Sequence, residues 1–372
     1  MVERLGDELE FRIVTSDRDI GDVSPYPGIQ RDTWVKEGKG WVYYLDASRL
    51  SLRRVAQLIS GTPHGVVYLN SYFDRMFTLR VLMSRYLRLC TRAPLVLAPR
   101  GEFSPGALGI KPRRKRAFIW MNSFAGVCDD VTWQASSSFE AADIRNAVQM
   151  RADRNQRRGS EGVRVVIAPD LVGTDTGSSK QQVQKRRERI ESVLSVCFIS
   201  RISPKKNLEY ALRVVEQVRV PLHFAVYGPI EDPGYWARCR RMIASMPRHV
   251  QVSYKGHLEH SQVVSTLRQY DLFLFPTLGE NFGHVIHEAL RAGLVLLISD
   301  QTPWRNLVRE GVGWDLPLGD ESQFVRCIED VARWEPSKFK EVAMNGQALA
   351  AAVADASTAV EENRQLFREL LA

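Results

Sequence analysis

Asp271–Gly293 reads D-L-F-L-F-P-T-L-G-E-N-F-G-H-V-I-H-E-A-L-R-A-G. The apolar run Asp271–Phe275 has the length and composition of a strand buried on both faces of a parallel sheet. Pro276 and Gly279 then break the pattern into a loop, and a helix opens near Phe282. Such a loop leaves the carboxyl end of its strand, the edge at which open α/β sheets hold ligands. The backbone amides of Asn281, Phe282 and Gly283 would face outward from the helix start and attract an anion. Glu280 lies in the loop, and Glu288 lies about two turns into the helix. Two carboxylates beside a phosphate cradle suit a ligand that also carries hydroxyls. The plain alternative is a helix with a negatively charged first turn.

Working outward, 372 residues suggest two domains of about 150 residues each. Hydrophobic content of 44% and charged content of 25% are those of an ordinary soluble globular protein. No apolar run approaches the roughly 20 residues of a membrane span, and the start M-V-E-R-L-G-D-E-L-E has no apolar signal core. Cys90, Cys128, Cys197, Cys239 and Cys327 are scattered, with no C-x-x-C pair. Reduced thiols in the cytoplasm are therefore expected, and neither a zinc site nor a disulfide framework. A net charge of +8 favours anionic partners without choosing among nucleotides, lipid headgroups and nucleic acid.

Strand patterns recur at Leu9–Thr15, Trp41–Leu45, Val66–Leu69, Leu95–Ala98, Asp130–Gln134 and Val163–Ile167. Helical patterns separate them at Leu50–Ile59, Thr78–Leu89, Lys115–Phe124 and Ser137–Gln149. That alternation predicts a parallel sheet covered on both sides. Gly173–Gln184 is small, polar and Gly/Ser-rich, the composition of a linker. The alternation then restarts, with strands at Leu194–Ser200, His223–Tyr227, Val250–Tyr254, Asp271–Phe275 and Leu294–Ser299. Helices are expected at Lys206–Val218, Pro233–Ala244, His260–Gln269, Gly283–Ala292, Pro303–Val308 and Glu321–Trp334. The expected division is a first lobe over 1–172, a linker over 173–188 and a second lobe over 189–355. A last helix within 356–372 is expected to cross back to the first lobe.

The second lobe opens with L-S-V-C-F-I-S, then R-I-S-P-K-K-N-L. Arg201 and Lys206 follow a strand's carboxyl end and enter a helix, where two cations can neutralise a diphosphate. Solvated surface charge is the alternative. Gly228, in Y-G-P-I-E-D-P-G-Y-W, follows another strand and would let a ligand approach the backbone, though a structural turn fits equally. Y-K-G-H-L at Tyr254–Leu258 is a further strand exit.

These segments resemble the donor-binding domain of the retaining GT-B glycosyltransferases, family 4. The likeness runs over Leu194–Leu318, through F-I-S-R-I-S-P-K-K-N-L, P-T-L-G-E-N-F-G-H-V-I-H-E-A-L and I-S-D-Q-T-P-W, with the paired glutamates on Glu280 and Glu288. The resemblance implies an α/β GT-B fold: two Rossmann-like, doubly wound lobes facing across a cleft. It implies that Arg201 and Lys206 grip the donor diphosphate, and that Glu280 with the amides of Asn281, Phe282 and Gly283 holds the sugar. Glu288 would take the ribose hydroxyls. His284 would approach the phosphates, while His287 points to another face. No cofactor and no metal are expected, in keeping with the absence of a D-x-D motif; the nucleoside diphosphate sugar is a co-substrate.

The first lobe resembles the family's acceptor domain through A-P-R-G-E-F-S-P-G-A-L. Asn70, Ser71, Arg100 and Gly101 would face the cleft. The expected acceptor is a glycan or lipid-linked hydroxyl of bacterial surface polysaccharide synthesis, met in the cytoplasm at the membrane's inner face. K-P-R-R-K-R (Lys111–Arg116), followed by Phe118, Ile119, Trp120 and Phe124, has the composition of a site for an anionic membrane surface. A solvated basic face over a buried stripe is the alternative. Arg151, Arg154, Arg157 and Arg158 add positive charge in a stretch read as loop. No recognisable nucleic-acid module is present, so no nucleic-acid partner is expected. Relatives begin with a strand and a Gly-Gly turn, whereas this chain starts inside what reads as the following helix, so a preceding segment with a central strand is expected. A sugar-nucleotide epimerase, or a donor-binding homologue without catalysis, are the alternative functions.

Overall fold

The computed structural model describes residues 1–18, 24–46, 50–149, 163–171, 193–354 and 357–372. The chain divides into two compact units: Met1–Phe103 with Lys111–Gly173 and Ser357–Ala372, and Ser104–Ile110 with Thr174–Ala356. The expected linker 173–188 and the arginines at 151, 154, 157 and 158 lie outside the described residues. Ser104–Ile110 groups with the second unit, where the strand pattern alone would leave it in the first. The cause is close packing: a Cβ added to Gly106 would stand 2.1 Å from the Leu278 carbonyl oxygen.

The first unit contains α1 (Val2–Leu5), β1 (Phe11–Ser16), β2 (Trp34–Glu37), β3 (Gly40–Leu45), α2 (Leu52–Gly61) and β4 (Val67–Asn70). There follow α3 (Thr78–Tyr86), β5 (Leu95–Ala98), α4 (Pro105–Gly109, in the second unit), α5 (Pro112–Ala125), β6 (Val131–Ala135), α6 (Ser138–Gln149) and β7 (Val165–Ile167). β1 pairs parallel with β3, and β2 adds antiparallel to β3 through a tight turn at Gly38, φ +57. Positive φ is what such a hairpin requires. A second sheet, β4-β5-β6-β7, is parallel, and β5 and β6 are buried along their whole length. Among the described residues, one edge of β1 and one edge of β4 carry no neighbouring strand. Residues Leu9–Val14 on one side, with Val66, Tyr68 and Asn70 on the other, line a cavity of about 740 Å³.

The second unit is built from β8 (Leu194–Ile199), a 3-10 turn at Pro204–Lys206, α7 (Leu208–Gln217), β9 (Leu222–Tyr227), α8 (Pro233–Ala244) and β10 (Val250–Tyr254). It continues through α9 (His260–Leu267), β11 (Leu272–Phe275), α10 (His284–Ala292), β12 (Val295–Ser299), β13 (Gly313–Leu316), α11 (Glu321–Val331) and α12 (Pro336–Ala354). All six strands are parallel, in the order β10-β9-β8-β11-β12-β13. β8, β11 and β12 are buried at every position, which is why their sequences are unbroken apolar runs. From β8 the chain builds outward through β9 and β10, then returns to β11 on the other side of β8. The direction of winding therefore reverses between β8 and β11.

Elements that differ from the sequence pattern include the unexpected strands β2 and β13, the segment Pro303–Val308 and α12. Pro303–Val308 is not helical: the amides of Asn306 and Leu307 donate instead to the Asp315 carboxylate, at 3.2 and 3.0 Å, and Asn306 has φ +60. α12 is a 19-residue helix without a strong apolar stripe in its sequence. It packs on α10 through small residues, with Ala343 against Gly293 and Gly346 against Leu290.

The chain ends in α13 (Ser357–Leu371), which belongs to the first unit. Asn363, Leu366 and Phe367 are buried on one face of it. The Phe367 ring lies 6.2 Å from Phe11 and 6.0 Å from Tyr68, so this helix touches both sheets of the unit.

Candidate functional site

Lys206 follows β8 and Glu280 follows β11, and the reversal of winding brings them together. Lys206 Nζ lies 2.5 Å from Glu280 Oε1, and both side chains are nearly buried, at 12% and 11% exposed. Lys206 Nζ also stands 5.6 Å from the Phe275 ring centroid. The loop around them is tied down by groups the sequence pattern does not single out, Thr277 and Ser299 among them fully buried. Thr277 Oγ1 is 3.2 Å from Glu280 Oε1, and Ser299 donates to the Thr277 carbonyl at 2.5 Å. The Glu280 amide donates to the Gln301 carbonyl at 3.1 Å, and the Leu278 amide to Lys205 at 2.9 Å. Asn207 Nδ2 donates to the Pro276 carbonyl at 2.9 Å. Their only sequence trace is their place just after strands β8, β11 and β12.

Next in the chain, Asn281, Phe282 and Gly283 lead into α10. Gly283 is the residue before the helix, with φ +79, and a Cβ there would stand 2.9 Å from Ile286 Cδ1. Among the described residues, the amides of Phe282 and Gly283 donate to no protein acceptor. Trp304 Nε1 donates to the Phe282 carbonyl at 2.5 Å, fixing this corner. His284 is exposed, its ring 4.8 Å from that of Phe282. His287 is buried, its Nε2 3.1 Å from the Ala350 carbonyl, and desolvation lowers its pKa below the ordinary value. It holds α12 against α10.

Glu288 lies on the face of α10 toward α9, its Oε1 3.4 Å from His260 Nδ1, with the carboxylate largely buried at 12% exposed. Burial raises its pKa, and the positive charges of His260 and Arg291 oppose that rise. Arg201 is not in contact with the Lys206–Glu280 pair among the described residues; it is exposed and bonds Glu231 at 3.2 Å. Gly228 has φ +132, and a Cβ there would meet the Ser200 carbonyl oxygen at 1.9 Å, so the exit of β9 packs directly on that of β8. Lys206 and Glu280 thus form one pair, followed in the chain by the unpaired amides, while Arg201 and Glu288 pair with Glu231 and His260. Among the described residues no three His, Cys, Asp or Glu side chains form a group that could hold a metal ion.

In the first unit Asn70, Ser71, Arg100 and Gly101 also come together. Arg100 Nε donates to Asn70 Oδ1 at 3.1 Å and Nη2 to the Tyr68 hydroxyl at 2.9 Å, while Nη1 pairs with Asp170. Ser71 and Arg100 both have positive φ, +69 and +56. Ser71 Oγ donates to Glu102 at 2.6 Å, and Glu102 also takes the amides of Tyr72 and Phe73, at 2.5 and 3.1 Å. The Gly101 amide donates to the buried Glu140 at 2.6 Å. The carboxylates of Glu102 and the buried Glu140 thus hold the exits of β4 and β5 in strained conformations, as sites that must be rigid often require.

Residues 180–345 match the family model described as Glycosyl transferases group 1. The chain is similar to the phosphatidyl-myo-inositol mannosyltransferase of Mycobacterium leprae, 25% identical over 234 residues, which is 62% of this chain and 59% of that protein. It thus spans less than two thirds of that relative's length. In structure it is similar to Anabaena HepE in complex with UDP and glucose, with TM-score 0.65 and 16% identity, over 88% of this chain and 85% of that one. It is also similar to the sucrose-phosphate synthase of Thermosynechococcus elongatus, with TM-score 0.69 and 15% identity, over 96% and 88%. These likenesses give the fold, GT-B, and the family model gives a likeness of 180–345 to Glycosyl transferases group 1.

Proposed function

We propose that the chain transfers a sugar from a nucleoside diphosphate sugar to a hydroxyl acceptor, with retention at the anomeric carbon and no metal in the site. One observation carries this reading: the near-buried Lys206–Glu280 pair stands where the second sheet reverses its winding. Open α/β sheets bind their ligands at that crevice. In the proposed reaction the bond from the anomeric carbon to the diphosphate oxygen breaks, and the acceptor oxygen bonds to the same face of the carbon. The departing phosphate takes the acceptor proton, while Lys206 and Arg201 offset its charge. An arriving diphosphate competes with Glu280 for Lys206, which leaves Glu280 to accept from sugar hydroxyls. The amides of Phe282 and Gly283 donate to the ligand, His284 approaches the phosphates, and Glu288 accepts from the ribose. Asn70, Ser71, Arg100 and Gly101 serve the acceptor.

The acceptor is a glycan or lipid-linked hydroxyl of bacterial surface polysaccharide synthesis, met at the inner face of an anionic membrane. The mannosyltransferase of M. leprae, named for phosphatidyl-myo-inositol, supports a lipid-linked acceptor, and HepE with UDP and glucose supports a UDP-sugar donor. The test is incubation with UDP-, GDP-, ADP- and dTDP-sugars, following nucleotide release with and without lipid-linked glycan. Release that depends on acceptor is the expected result. Epimerised sugar, or binding with no release under any pairing, would overturn it.

A further inference from the structure

α5 is turned so that its polar and aromatic inner face is used up. Asn122 is buried and donates to the Tyr72 hydroxyl at 3.1 Å, and Phe118 packs edge-on against Tyr72 at 5.4 Å. Lys115 sits on that side too, its Nζ 4.9 Å from the Phe73 ring, with burial lowering its pKa. These contacts fix the rotation of the helix, and the opposite face follows from the period of 3.6 residues. Arg113, Ala117, Trp120 and Phe124 fall on one stripe, at i, i+4, i+7 and i+11, with Met121 beside it.

That outward stripe is apolar at large side chains. Trp120 is 60% exposed, Met121 55% and Phe124 69%. The Trp120 and Phe124 rings stack, with centroids 5.4 Å apart and planes 18° apart. Phe139, at the start of the neighbouring α6, is 66% exposed. The helix's first turn is basic: Arg113, Arg114 and Arg116 are exposed and make no ion pair among the described residues. A solvated basic face over a buried stripe would have turned these aromatics inward; here they point out beside the arginines.

We propose that this face of α5 docks on an anionic lipid bilayer, Trp120, Met121 and Phe124 entering the headgroup layer while Arg113, Arg114 and Arg116 meet lipid phosphates. Amphipathic ends of aromatic side chains favour that layer, and cations add attraction that depends on lipid charge. The whole chain's +8 charge suits a negative surface. The inference deepens the proposed function by naming where its acceptor is met, and rests on that reading only for its purpose.

The test is sedimentation of the full chain with vesicles of phosphatidylcholine alone or mixed with phosphatidylglycerol. Expected is binding to the anionic vesicles that weakens with salt, and little binding to the neutral ones. Each basic residue near an anionic surface contributes about fivefold, so the double variant Arg113→Glu, Arg114→Glu loses roughly 30-fold or more. Trp120→Ser with Phe124→Ser also loses binding, and retention of the wild-type thermal unfolding midpoint checks that both variants fold. Equal binding by wild type and variants, or none at low salt, overturns the proposal. So does a dimer that the aromatic variant splits into monomers, which would give this face to a second copy, or vesicle-independent capture by a nucleic acid. Acceptor-dependent nucleotide release in detergent is measured separately, so failure of docking and failure of the transfer reading are distinguishable.

Discussion

At Gly228 an added Cβ would stand 1.9 Å from a backbone oxygen, at a φ of +132 that L side chains rarely adopt. The glycine that reads in sequence as room for a ligand is thus required first by packing between two strand exits. Gly228→Ala is expected to destabilise the protein by about 1–3 kcal/mol, measured by denaturant unfolding; an unchanged midpoint would contradict the packing argument. His287 gives a pH-dependent prediction. Burial holds its folded pKa below the ordinary value of 6.5, so the unfolded chain binds more protons as pH falls through that value. Its contribution to stability is therefore full above 6.5 and lost on acidification toward the folded pKa. His287→Gln should flatten the pH dependence of the unfolding midpoint across that window. If it leaves the slope untouched, another group carries it. Lys206, Glu280 and Gly283 were legible because each stands at a strand exit or helix start that local pattern reveals. Thr277, Ser299 and Gln301 were not, since their bonds to the loop join strands that only the fold makes neighbours.

Among elements, the buried strands β8, β11 and β12 were readable from apolar runs alone. The short β2 was not, because Trp34–Glu37 becomes a strand only by pairing with β3. α12 was not, because its contacts are made by alanine and glycine, which leave little apolar contrast in a sequence. α13 was plain from its period, and its consequence is energetic. Leu366, with Val96 and Ala168, forms a small core of the first unit. Asn363 bonds the Pro169 carbonyl at 2.8 Å and Gln134 at 3.2 Å. Leu366→Ala is expected to cost about 2–5 kcal/mol by chemical denaturation, as for other buried leucines. A loss under about 0.5 kcal/mol would show that the helix is not part of that core.

For the molecule as a whole, the doubly wound order was foreseeable from alternating strands and helices, but which strands stand side by side was not. That order matters most, because the return from β10 to β11 is what sets Lys206 beside Glu280. Among the described residues no helix is long and apolar enough to cross a membrane. The central claim is that a nucleoside diphosphate sugar binds at the reversal point of the second sheet. Isothermal calorimetry of UDP-, GDP-, ADP- and dTDP-sugars against wild type, Lys206→Ala and Glu288→Ala tests it directly. At least one donor should bind at one site per chain, and each variant should weaken it by roughly 10- to 150-fold, the loss of a charged hydrogen-bond partner. Equal affinity in all three proteins, or no binding by the wild type, would contradict the account.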